Sequence, residues 1–174
     1  ASDVYKRQVT VNSFSKTYAM TGWRIGYAAA PRALVDEMVK LQQFTMVHAP
    51  AVSQRAALAA LKGPQGFVES MVEEYDRRRR FIVERLNTID GLSCVRPKGA
   101  FYVFLNIKGL GLSSEEAAMK ILEQARVVTV PGSAFGPNGE GFLRLSYARP
   151  LDQLEEACSR LERVVQELKG GRAN

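Results

Sequence analysis

The stretch Ser13-Phe14-Ser15-Lys16-Thr17-Tyr18-Ala19-Met20-Thr21-Gly22-Trp23-Arg24-Ile25-Gly26 decides how the rest of the chain is read. It follows on from a strand over Val9 to Phe14, because Val9, Thr10 and Val11 are β-formers. The pattern breaks at small and polar residues and restarts as a second short strand from Arg24 to Ala30. Arg24, Gly26 and Ala28 then share one face, and Ile25, Tyr27 and Ala29 share the other. This alternation aims Arg24 at a ligand while Ile25 and Tyr27 pack. Lys16 lies where a strand ends, with hydroxyls just before it and a guanidinium eight residues after. Loops held by a rigid scaffold are where reactive groups tend to sit, although an arbitrary loop lysine is merely solvated.

The neighbours of Lys16 narrow the chemistry. Ser13 and Ser15 offer hydroxyl donors, and Arg24 offers a planar fork suited to phosphate. The Lys16 amine can form a Schiff base once nearby cations or desolvation leave it unprotonated. A phosphate grip and an imine-forming lysine are what pyridoxal 5'-phosphate requires of a protein. With these residues in place, the stretch resembles the class I and II aminotransferases of the fold-type I pyridoxal-phosphate enzymes. Ser13-Phe14-Ser15-Lys16, Ala19-Met20, Gly22 and Arg24-Ile25-Gly26 fit that family's coenzyme-attachment pattern at every restricted position. The resemblance implies Lys16 as the catalytic residue and Ser13, Ser15, Lys16 and Arg24 as the coenzyme-binding set.

Bulk properties bound the alternatives. The 174 residues suit one domain or a little more, and 46% apolar with 24% charged residues is ordinary for a globular chain with a core. No apolar run approaches the roughly 20 residues of a membrane span, and no secretory leader is visible. Two cysteines, Cys94 and Cys158, and one histidine, His48, show no metal-ligand spacing, and a reducing cytoplasm is the default. The net charge of +6 raises the question of nucleic acid. Its densest cluster, Arg77 to Arg80, lies among Glu69, Glu73, Glu74, Asp76 and Glu84. Four consecutive residues spread around a helix, so a solvated face with intrahelical ion pairs is expected.

In chain order, residues Ala1 to Gln8 are polar, unpatterned and unlike what precedes the motif in the family, as a foreign leader would be. After Pro31 a helix repeats Leu34, Met38 and Leu41, with Val35 and Val39 beside them, which predicts one buried stripe. Val52 to Leu61 reads as an alanine-rich helix, closed by Gly63-Pro64. A long helix runs from about Gln65 to Asn87 with Val68, Met71, Tyr75, Ile82 and Leu86 on one side. The gap in that stripe falls at Arg78 or Arg79, whose aliphatic stem can cover apolar surface. After Asp90-Gly91 the pieces are shorter: strands at Leu92–Val95, Ala100–Leu105, Val127–Val130 and Phe142–Tyr147. Ser113 and Glu116 form a capping box for a helix to about Gln124. Pro150 to Leu168 is a helix whose seam of Leu151, Leu154, Cys158, Leu161, Val165 and Leu168 packs on the sheet or, alternatively, on a coiled-coil partner. The tail Gly170 to Asn174 is expected to fray.

On the strand Phe142 to Tyr147, Arg144 faces away from the aliphatic side, beside Phe142 and Ser146. An arginine there must be exposed or paired with an anion. Phe142-Leu143-Arg144-Leu145-Ser146-Tyr147 is similar to the family's C-terminal strand, whose arginine clamps the α-carboxylate of the amino acid. Val130-Pro131-Gly132-Ser133-Ala134-Phe135-Gly136 and Gly99-Ala100-Phe101-Tyr102-Val103-Phe104 are similar to its small domain, where Phe101 either lines the substrate pocket or packs in the core. The resemblance therefore implies an α/β fold that is the C-terminal part of the pyridoxal-phosphate transferase architecture. Residues 9–64 would end the large domain, 65–90 would be a connecting helix, and 91–169 would form the small α+β domain. The family's phosphate loop, ring-stacking aromatic, and the asparagine, tyrosine and aspartate around the ring would lie upstream, and only fifteen residues precede Lys16.

The implied activity is transfer of an amino group between an α-amino acid and a 2-oxo acid. It would be performed by a cytoplasmic homodimer with no metal, nucleic acid or membrane partner, closest in style to bacterial aspartate and broad-specificity aminotransferases. A lyase on the same fold and a non-catalytic regulatory module of the family are the alternatives. The fragment alone is expected to be inactive.

Overall fold

The computed structural model describes residues 7–170, so most of the expected leader (residues 1–8) and most of the expected frayed tail (170–174) lie outside the described residues. The chain divides into two compact units, residues 1–70 and 71–174.

The first unit is built on a two-stranded antiparallel ribbon, β1 (Thr10–Ser13) and β2 (Gly26–Ala29), in the register Ser13 opposite Gly26 and Thr10 opposite Ala29. One helical turn, α1 (Phe14–Thr17), and a 3₁₀ turn (Thr21–Trp23) fill the connection. Helices α2 (Arg32–Thr45) and α3 (Ala51–Lys62) follow, each entered from a proline, whose fixed φ suits a helix start. Phe14, Met20, Ile25 and Ala57 form the unit's core, with Tyr18, Ala49, Ala56 and Ala60 at its edge.

The predicted stripe on α2 is not buried. Leu34, Met38, Val39 and Leu41 are exposed, and none of the helix's residues is buried. A stripe is buried only when another layer faces it, and this unit's core gathers around Phe14 and α3 instead.

The second unit holds a four-stranded antiparallel sheet in the order β3 (Ser93–Cys94), β4 (Tyr102–Asn106), β6 (Phe142–Ser146), β5 (Val130–Pro131). Its helices are the greater part of α4 (Gly66–Asn87), α5 (Ser114–Ala125) and α6 (Leu151–Gly170). Val103 and Leu105 of β4 and Leu143 and Leu145 of β6 turn inward, joined by Ile82 and Leu86 of α4, Ala117 and Ile121 of α5, and Leu161 and Val165 of α6. This is a sheet covered on one face by helices. The α6 seam packs on the sheet as expected: Leu154, Cys158, Leu161 and Val165 are buried in this core and Leu168 packs against it. The capping box is also present, with the Glu116 amide donating to the Ser113 hydroxyl at 3.2 Å and the Ser113 amide to the Glu116 carboxylate at 3.0 Å.

Two strand predictions shift. Ala100 takes a left-handed φ of 61°, which keeps Ala100 and Phe101 in a turn and delays β4 to Tyr102. Arg126 likewise ends α5 in a left-handed turn, and the chain pairs with β6 only at Val130 and Pro131.

The basic cluster on α4 is ion-paired within the helix. Glu74 accepts from Arg77 and Arg78 at 2.8 and 2.7 Å, and Asp76 pairs with Arg79 and Arg80. Arg78 lies over the Tyr75 ring and Arg79 donates to the Pro97 carbonyl at 2.8 Å, so both stems cover apolar surface where the stripe breaks. Among the described residues no helix is long and apolar enough to cross a membrane.

Candidate active site

The ribbon sets the geometry around Lys16. Its antiparallel register places Ser13 opposite Gly26, and the Phe14 amide donates to the Ile25 carbonyl at 3.3 Å. Everything between, including Lys16 and Arg24, therefore hangs from one end of the ribbon. Gly26 makes this closure possible: a Cβ there would sit 2.7 Å from the Asn12 carbonyl oxygen.

Lys16 occupies the single turn of α1 and its side chain is exposed, whereas the sequence predicts a loop. Ser13 is the N-cap of that turn, its hydroxyl accepting from the Ser15 amide at 3.1 Å. That bond uses an acceptor lone pair and leaves the Ser13 O–H free to donate. Phe14 anchors the turn beneath, packed between the rings of Tyr18 and Tyr27 at 5.6 and 5.7 Å. The strand that was to carry Arg24 begins only at Gly26. Arg24 instead ends the 3₁₀ turn in a left-handed conformation, φ 49° and ψ 52°, and its Nη1 donates to the Thr21 carbonyl at 2.8 Å. The correction has a physical cause. The chain must reverse between α1 and β2, and Ala19 and Arg24 both take positive φ to do so.

Two further features of this segment carry weight. Ser53 on α3 is buried and donates its hydroxyl to the Trp23 carbonyl at 2.8 Å, tying the turn that holds Arg24 to α3. The segment is also free of acid: no aspartate or glutamate occurs between Asp3 and Asp36, while Lys16 and Arg24 both lie within it. An exposed amine, serine hydroxyls and an exposed guanidinium are a donor set suited to an anion such as a phosphate ester. These residues fit pyridoxal 5'-phosphate by that chemistry.

In the second unit Arg144 stands on the sheet face away from the helices, as predicted, directly opposite Phe104 in the β4–β6 register. Its guanidinium carbon lies 4.4 Å from the centre of the Tyr102 ring and 4.8 Å from that of Phe135. Among the described residues no carboxylate pairs with it and no acceptor takes a hydrogen bond from it. Phe135 ends the 3₁₀ turn Gly132–Phe135, which is held by the close apposition of Gly132 and Gly139; a Cβ on either would strike the other's carbonyl oxygen. Phe101 lies at the rim of the core, its ring 6.0 Å from that of Tyr75 and 4.5 Å from that of Tyr102. Its carbonyl accepts from the Tyr147 amide, and the buried Tyr147 hydroxyl donates to the Ala100 carbonyl at 2.9 Å, fixing the turn before β4. Burial raises the pKa of that hydroxyl, which disfavours its ionisation, and pushes that of the Cys158 thiol up to about 11.

The sequence signals missed the rings around Arg144 and the buried Ser53. Neither has a periodic signature, since each contact joins positions far apart in the chain. The acid-free run was open to inspection in the sequence itself.

Comparison with known proteins adds a family. The sequence profile described as aminotransferase class I and II matches residues 2–161. The aspartate aminotransferase of Pyrococcus abyssi is 48% identical over 168 residues, 95% of this chain and 43% of that protein. The aromatic-amino-acid aminotransferase 2 of Thermococcus litoralis is likewise 48% identical over 168 residues, with the same coverage of each chain. Among solved structures, the aromatic aminotransferase of Pyrococcus horikoshii OT3 superposes with a TM-score of 0.91 at 49% identity, over 95% of this chain and 44% of that one. The chain thus spans well under half the length of these relatives.

Proposed function

The chain belongs to the class I and II aminotransferases, and from that premise we propose that the complete polypeptide carrying these residues moves an amino group between an α-amino acid and a 2-oxo acid. Pyridoxal 5'-phosphate is the proposed cofactor, and when bound it supplies the sink for the electron pair left at Cα. The chain's own residues divide the remaining work. The Ser13 O–H and the Arg24 fork bind the phosphate end, with Ser15 assisting. The Lys16 amine anchors the coenzyme and then serves as base and acid, taking the proton from the substrate's Cα and returning it in the reverse half-reaction. Arg144 takes the substrate's α-carboxylate, and Phe101 borders the pocket. Holding both partners in register removes a large part of the barrier. The proposed working enzyme is a cytoplasmic homodimer.

The observation that carries this reading is the segment from Ser13 to Gly26. An amine, serine hydroxyls and a guanidinium gather at one end of a ribbon, with no acidic residue in the run between Asp3 and Asp36. Lys16→Ala in the complete enzyme is expected to lower 2-oxo-acid formation by at least about 10³-fold, the scale of a lost acid–base group. Turnover near that of the parent would contradict the assignment. Ammonia release in place of amino-group transfer would move the reading to an elimination enzyme.

A further inference from the structure

The proposed role of Arg144 leaves open what holds its side chain before substrate arrives. Arginine is flexible, and a surface arginine ordinarily settles on a nearby carboxylate. Here none of the described residues supplies one, and the guanidinium carbon instead lies 4.4 Å from the centre of the Tyr102 ring and 4.8 Å from that of Phe135. The rings come from different elements. Tyr102 opens β4, diagonal to Arg144 across the ladder, and Phe135 comes from the 3₁₀ turn locked by Gly132 and Gly139. Phe104 supports Phe135 edge-on at 6.2 Å and stacks on Phe142 at 5.1 Å, so the rings themselves are braced.

The difference between a ring and a carboxylate as partner is chemical. A carboxylate would occupy the N–H fork that must later receive the substrate. A π-face attracts the delocalised cation without accepting its N–H bonds and excludes water beside it. The guanidinium is thereby ordered with its donors unspent, which lowers the ordering cost of binding. We infer that Tyr102 and Phe135 are positioning residues that hold the Arg144 guanidinium ready for the substrate's α-carboxylate. The inference rests on Arg144 being the carboxylate residue.

The test is steady-state kinetics of the complete enzyme. Tyr102→Leu and Phe135→Leu are each expected to raise KM for both the amino acid and the 2-oxo acid by about 3- to 30-fold, with kcat within about twofold, the scale of a lost cation–π contact. Tyr102→Phe keeps the ring and is expected to restore KM to within about twofold of the parent. In an Arg144→Gln background, itself raised in KM, the Tyr102→Leu penalty is expected to fall below about twofold, because the cation it acts through is gone. A KM unmoved by Arg144→Gln would overturn the carboxylate assignment. A KM raised by Arg144→Gln but unmoved by both leucine variants would overturn the positioning role alone. So would a Tyr102→Leu penalty undiminished in the Arg144→Gln background.

Discussion

The two units differ in what they do with their apolar residues. The second unit closes a continuous core in which Leu86, Val103, Leu105 and Leu143 are fully buried between the sheet and its helices. Among the described residues the first unit buries four apolar residues, Phe14, Met20, Ile25 and Ala57, and leaves Leu41 69% and Phe44 91% exposed on α2. The proposed chemistry is distributed the other way. The first unit carries Lys16 and Arg24, and the second carries Arg144 on the sheet face away from its helices. Within this chain the segment that holds Lys16 and Arg24 is fixed by local contacts: the Ser13 cap, the Ser53 hydroxyl on the Trp23 carbonyl, and the close approach at Gly26.

The contrast breaks most easily in the core. Leu143→Ala is expected to cost about 2–5 kcal/mol, the range for a buried leucine, whereas Leu41→Ala should change stability by less than about 0.5 kcal/mol. Urea titration of both variants decides it, and similar losses at the two sites would erase the distinction. A smaller effect is expected where the first unit does rely on a buried group. Ser53→Ala removes the donor to the Trp23 carbonyl, should cost about 1–2 kcal/mol, and should speed amide exchange around Arg24. Unchanged exchange there would mean the turn holds itself.

The smallest effect sharpens the second unit's side of the comparison. Arg77 and Arg78 hold the Glu74 carboxyl down to about 2 from its usual 4.5, and Arg79 and Arg80 lower that of Asp76. A carboxyl depressed by folding adds stability above its unfolded value and loses it as pH falls through the folded one. This contribution should be constant from pH 8 down to about 5 and fade between about 4.5 and 2. The pairs are exposed, so the fading should be slight and should weaken further in high salt. Thermal melts of Glu74→Gln and the parent that converge at acid pH would bear this out, and a constant offset would contradict it.

What could be read from the sequence follows the range of the signal. The Ser113–Glu116 box, the α6 seam and the inward alternation of Leu143 and Leu145 are local patterns, and each is found where periodicity puts it. The ion pairs of Arg77 to Arg80 belong to the same class, set by three- and four-residue spacing. Arg24 and Ala100 were misplaced because a left-handed φ at a residue other than glycine leaves no compositional mark. The α2 stripe was legible as amphipathic, but a stripe does not name the surface that covers it. The rings beside Arg144 come together only through the β4–β6 register and the turn at Gly132, both tertiary facts.

The central claim is that Lys16 is the amine that takes the aldehyde of pyridoxal 5'-phosphate, and covalent trapping tests it without turnover. The complete protein is incubated with the coenzyme, reduced with borohydride, digested and mapped by mass spectrometry. The account predicts the pyridoxyl group on the peptide containing Lys16, and its loss in Lys16→Ala. Stoichiometric label on another lysine, with Lys16 unmodified, would contradict it.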